Sequence, residues 1–130
     1  MADFDIRGMP QGEVLALDFT GASTSQNADA MTRRYFNIVL ASGMKKVLVD
    51  IRALKGRLSD GQTFFLLREL PVKPTPPDIQ TAIVESQENR AYGDFLETTA
   101  VNAGVPLRCF FDRAEALAWL AGAGGKTETA

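Results

Sequence analysis

Lys45-Lys46-Val47-Leu48-Val49-Asp50-Ile51 is the stretch that decides the fold. Four apolar residues, three of them β-branched, stand in near-continuous order and leave little room for a wet face. Such a run fits a strand of a parallel sheet covered on both sides, where alternation between apolar and polar residues is unnecessary. Upstream, residues 27–42 place Met31, Tyr35, Ile38, Val39 and Ser42 on one stripe at helical spacing. Ser25 or Asn27 can cap the start of that helix, and Gly43 stands where a left-handed residue ends one. Before it, residues 13–20 (EVLALDFT) alternate, with Leu15, Leu17 and Phe19 on one face and Val14, Ala16 and Asp18 on the other. Residues 4–7 read as a short edge strand, and Gly8, Pro10 and Gly12 as the turn that follows.

Downstream, residues 52–58 read as a loop containing Gly56. Ser59-Asp60-Gly61-Gln62 has capping-box spacing and opens a helix over residues 59–70. Residues 71–77 hold four of the six prolines and read as a stiff, extended connector. Residues 79–85 (IQTAIVE) are the next strand, and residues 89–104 a long helix ended by Gly104 and blocked by Pro106. Residues 107–111 form the last strand. Asp112 with Glu115 repeats the capping-box spacing ahead of a helix through residue 121. The order β-β-α-β-α-β-α-β-α predicts an α/β fold: a mixed, mostly parallel sheet of about five strands with about four helices. One domain over residues 1–121 and a polar, Gly-rich tail over residues 122–130 are expected.

The chain has 130 residues, 14 basic and 16 acidic, for a net charge of −2. Phosphate neutralisation needs clustered positive charge, so no nucleic-acid partner is expected. Histidine is absent, which removes His-activated nucleophiles and His-ligated metals. The single Cys109 lies in an apolar run and reads as a structural thiol. No signal peptide or membrane span is visible, so a cytoplasmic protein, peripheral at the membrane at most, is expected.

Ligands of open α/β sheets bind beyond the carboxyl ends of the strands. Ser25, Ser59, Ser86 and Asp112 each precede a helix there and read first as caps. Asp50 closes a strand and is expected to bind loop amides or to pair with Arg52 or Arg57. With no base, metal set or phosphate loop beside Asp50 and Asp112, no catalytic residue, metal or cofactor is expected, and the protein reads as a non-enzyme. Arg33-Arg34 and Lys45-Lys46 read as solvated charge. Phe64-Phe65-Leu66-Leu67 is the more informative feature. Four consecutive apolar residues on a helix point in four directions, and a helix on a sheet buries one stripe. Together with Phe36 and Leu40, which lie off the first helix's stripe, they are expected to form an apolar surface. Its occupant would be an apolar small molecule, a lipid or membrane surface, a protein partner, or a second copy in a homodimer.

Three segments resemble the STAS fold of anti-anti-sigma factors, and more narrowly its SpoIIAA-like branch, which is also similar to the lipid-binding CRAL-TRIO domain. They are Lys46-Val47-Leu48-Val49-Asp50, Ala91-Tyr92-Gly93-Asp94-Phe95, and the closing segment from Phe111-Asp112 to Ala116-Leu117-Ala118-Trp119-Leu120. The resemblance covers residues 4–121. It implies a STAS/SpoIIAA-like binding or regulatory module. It also implies a phosphorylated serine at the start of the helix after the central strand, a position matched here by Ser59. Two readings result: a module binding an apolar ligand, lipid or membrane through residues 64–67, and an anti-anti-sigma-type regulator switched at Ser59.

Overall fold

The computed structural model describes residues 4–57, 59, 61 and 79–122. The expected helix over residues 59–70, the proline connector and most of the tail therefore lie largely or wholly outside the described residues. Among the described residues six strands form one sheet: β1 (Phe4–Gln11), β2 (Val14–Ala22), β3 (Lys46–Asp50), β4 (Leu54–Lys55), β5 (Gln80–Val84) and β6 (Leu107–Phe110). Among the described residues the helices with both ends in view are α1 (Ala28–Ser42), α2 (Arg90–Asn102), which follows a 3₁₀ turn at Gln87–Asn89, and α3 (Arg113–Leu120). The order across the sheet is β1-β2-β3-β5-β6, with β4 pairing β2 off this path. β1 runs antiparallel to β2, and every other pairing is parallel.

Two boundaries differ from the expectation. β1 runs through Gly8 and Pro10, so the turn is confined to Gly12-Glu13, with Gly12 at a φ of 62°. At the sheet edge a proline removes no hydrogen bond from the outer side, so it does not break the strand. Leu54 and Lys55, expected in a loop, form β4. The nine-residue β2 outruns the five-residue β3, leaving Gly21 and Ala22 to be paired by Leu54 and Lys55. Leu54 is buried there.

The alternation read in β2 separates two cores. Leu15, Leu17 and Phe19 join Val47, Val49 and Ile83 beneath Met31 and Val39 of α1 and Ala100 of α2. Val14 joins Leu48, Ala82, Val84 and Phe110 beneath Ala116 and Leu120 of α3. Leu17, Leu48 and Leu120 are fully buried, each stabilising the fold by about 1.5–3 kcal/mol relative to exposure. The crossovers through α1 and α2 step the same way along the sheet. With one hand of crossover this puts both helices on the same face, and α3 packs on the other. Ser42 does not pack in the α1 stripe: its Oγ accepts from Met44 N–H and donates to the Val39 carbonyl, finishing the helix.

Candidate functional site

Asp50, Arg52, Arg57, Ser59, Glu85 and Asp112 gather at the carboxyl end of the parallel strands. Asp50 ends β3 and is buried. The chain turns back at once, so Arg52 donates its backbone N–H to Asp50 Oδ1 at 3.1 Å. Its guanidinium spans the same carboxylate, Nε to Oδ1 at 3.1 Å and Nη2 to Oδ2 at 2.8 Å. Asp18 stands opposite Asp50 in the β2–β3 register. Arg113, the first residue of α3, lies between the two, with Nη1 2.8 Å from Asp50 Oδ2 and 3.1 Å from Asp18 Oδ1. Burial raises the Asp50 pKa, but hydrogen bonds from Arg52 and Arg113 outweigh it and hold the carboxyl below its ordinary value. A carboxylate kept ionised this way has no proton to donate at neutral pH.

Asp112 is exposed, and its Oδ1 accepts from Ala114 N–H, as expected of the α3 cap. The other expected caps behave differently. Ahead of α1 the reciprocal bonds run between Thr24 and Asn27: Thr24 N–H to Asn27 Oδ1, and Asn27 N–H to Thr24 Oγ1. These bonds tie the turn ahead of the helix; Asn27 is the N-cap residue, but its side chain bonds Thr24 and the Ala22 carbonyl and caps no helix amide. Ser25 Oγ meets the Gln26 side chain, and Ser86 Oγ accepts from Asn89 Nδ2, so neither serine caps a backbone amide.

Of the two arginines expected as alternatives beside Asp50, Arg52 takes that place and Arg57 pairs with Glu85. Glu85 follows β5 and is fully buried. Arg57 donates Nε to Glu85 Oε2 at 2.7 Å and Nη2 to Oε1 at 2.6 Å. The same guanidinium reaches the carbonyls of Leu54, Gly56 and Ile51 at 2.7, 2.7 and 2.9 Å. Ser86 N–H completes Glu85 Oε1. The signal for Glu85 was its place as a lone charge closing the apolar run of residues 79–85, much as Asp50 closes β3. Two residues beyond Arg57, Ser59 is exposed, and Gly61 is already helical.

Most of the expected apolar surface, Phe64 to Leu67, lies outside the described residues. Phe36 is half-buried, edge-on to Tyr35 with ring centroids 5.0 Å apart. Leu40 is 49% exposed. α1 runs back between parallel strands, which puts Leu40 near the amino ends, away from Asp50 and Ser59. Cys109 is half-buried, and burial, with nearby carboxylates, pushes its thiol up to about 12. Among the described residues no group of three or more Cys, Asp or Glu side chains suits a metal ion, and no helix is long and apolar enough to cross a membrane.

The fold is that of solved SpoIIAA-like structures. An anti-sigma factor antagonist from Mycobacterium paratuberculosis superposes with a TM-score of 0.62 at 15% identity, over 91% of this chain and 94% of that one. An uncharacterised protein with a SpoIIAA-like fold from Shewanella loihica superposes with a TM-score of 0.52 at 20% identity, over 90% and 93%. No family model matches the chain, and no curated protein matches it in sequence.

Proposed function

We propose that this chain is a non-enzymatic regulator of the anti-sigma factor antagonist kind, which acts by docking a protein partner at the carboxyl pole of its sheet around Ser59. The observation that carries this reading is the superposition on an anti-sigma factor antagonist along nearly the whole of both chains. The chemistry of the pole supports it. Its buried carboxylates are already satisfied by Arg52, Arg57 and Arg113, which suits a pre-set polar surface for recognition. An exposed serine just ahead of a helical residue is also well placed for phosphate, because the first amides of a helix favour negative charge.

The test is binding of the purified chain to each purified anti-sigma factor of the source organism, by calorimetry, followed by mass spectrometry after incubation with ATP. One member is expected to bind, to add a single phosphoryl group at Ser59, and to release the Ser59→Asp variant. Failure of every member to bind ends the regulator reading. The reading in which residues 64–67 hold an apolar ligand, lipid or membrane surface is checked in parallel by cosedimentation with neutral and anionic vesicles.

A further inference from the structure

We infer that Arg57 and Glu85 form a positioning pair, which holds residues 51–57 against the sheet and thereby sets where Ser59 is presented to a partner. The inference rests on the regulator reading and extends it to two residues outside the expected site. An arginine has five N–H donors. All five of Arg57 are used: two on the Glu85 carboxylate and three on the carbonyls of Ile51, Leu54 and Gly56. The side chain thus ties a fixed point at the end of β5 to three successive points of one loop. Both partners are withdrawn from water, Arg57 to 10% and Glu85 to 0% side-chain exposure, so competition from solvent and salt is slight.

At its start the loop is also held by the buried side chains of Ile51 and Leu54 and by Ile51 N–H on the Val84 carbonyl at 3.0 Å; towards Ser59 the ties are fewer. β4 is two residues long, joined to β2 by its register at Gly21 and Ala22 and by Ser23 N–H on the Lys55 carbonyl at 2.7 Å. At Gly56 the backbone has a φ of 79°, and a Cβ there would stand 2.7 Å from the Ser23 carbonyl oxygen. The loop therefore lies backbone against backbone, with no side chain of its own at that contact. Ser59 is only two residues past the arginine, so its placement is inherited from the clamp.

Arg57→Lys keeps the charge but has three donors for five acceptor contacts. Arg57→Met with Glu85→Leu removes both charges together, which leaves no uncompensated ion in the core. Amide exchange is measured for wild type and both variants, alongside calorimetric binding to the anti-sigma factor found above. Exchange at Ser23 and Leu54 is expected to accelerate about tenfold or more, with Val49 and Ile83 in the central strands unchanged. Partner binding is expected to weaken about tenfold in both variants. Acceleration spread equally over β3 and β5 would make the pair merely structural and overturn the proposal. So would local loosening with unchanged affinity. A wild-type chain that binds no anti-sigma factor overturns the regulator reading itself, a failure visible before either variant is made.

Discussion

Asp50 was legible in the sequence as a strand-closing carboxylate, and Arg52 as a near neighbour able to reach it. Arg113 was not, because nothing local says that the start of α3 returns over β3. The pair of guanidinium groups gives a prediction with a definite sign. Asp50→Asn is expected to cost about 1–2 kcal/mol at neutral pH, the low end for hydrogen bonds to a charged group because Arg52 is 45% exposed. Since the folded carboxyl titrates below its ordinary value, this contribution is present above about pH 4 and is lost as pH falls through the lower folded value. Urea unfolding across the acid range should show wild type and Asp50→Asn converging; a gap independent of pH would refute the ion-pair account. At Cys109 the shift is upward, to about 12. Its stabilising contribution is therefore present below about pH 8.5, where a free thiol titrates, and is lost as pH rises towards the folded value. Alkylation of the native chain at about pH 8.5 should be much slower than that of the urea-unfolded chain, and equal rates would disprove the burial argument.

At the scale of elements, α2 and β6 meet through a glycine. A Cβ at Gly93 would stand 2.7 Å from Cys109 Sγ and 3.4 Å from the Phe111 ring. Helix propensity alone favours alanine there by about 1 kcal/mol, but overpacking costs about 1–3 kcal/mol, so Gly93→Ala is expected to destabilise. Cys109→Ala removes the obstructing sulfur. The double variant should be more stable than the sum of the two single changes allows, and additive unfolding energies would sink this contact. In the sequence Gly93 stood out only within the segment Ala91–Phe95 that carries the resemblance; which strand it admits is a tertiary fact. β6 ends the sheet order, and Glu97 of α2 covers part of its edge by accepting from Cys109 N–H at 2.7 Å. A carboxylate on an edge amide blocks the pairing that would extend the sheet into another chain.

For the whole molecule, the decisive feature is that the two poles of the sheet carry different chemistry. Asp50, Arg57, Glu85, Ser59 and Asp112 lie at the carboxyl pole, while Leu40 and the end of α1 lie towards the amino pole. The homodimer expected from Phe36, Leu40 and residues 64–67 is checked by light scattering. That interface gives about twice the 14.1 kDa chain mass for wild type and the monomer mass for Leu40→Glu. A 14.1 kDa species at high concentration ends the dimer. As a surface change, Leu40→Glu itself should move stability by no more than about 0.5 kcal/mol.

The sequence by itself determined the alternation of strands and helices, the two faces of β2, the apolar runs of β3 and β5, and the Asp112 cap. Each is written in neighbours: period two in a strand, period 3.6 in a helix, an oxygen side chain two or three residues from an orphan amide. Only the tertiary structure decided that β4 exists, that Arg57 serves Glu85, and that Arg113 bridges Asp50 and Asp18. β4 forms because β2 outruns its neighbour β3, which depends on the register between strands and on no residue of β4 alone. The charged partners lie 28, 63 and 95 residues apart in the chain. A guanidinium carries no mark of the carboxylate it will meet. Its partner is chosen by which strand ends the sheet order brings within about 3 Å, and sheet order is set by the packing of the whole chain.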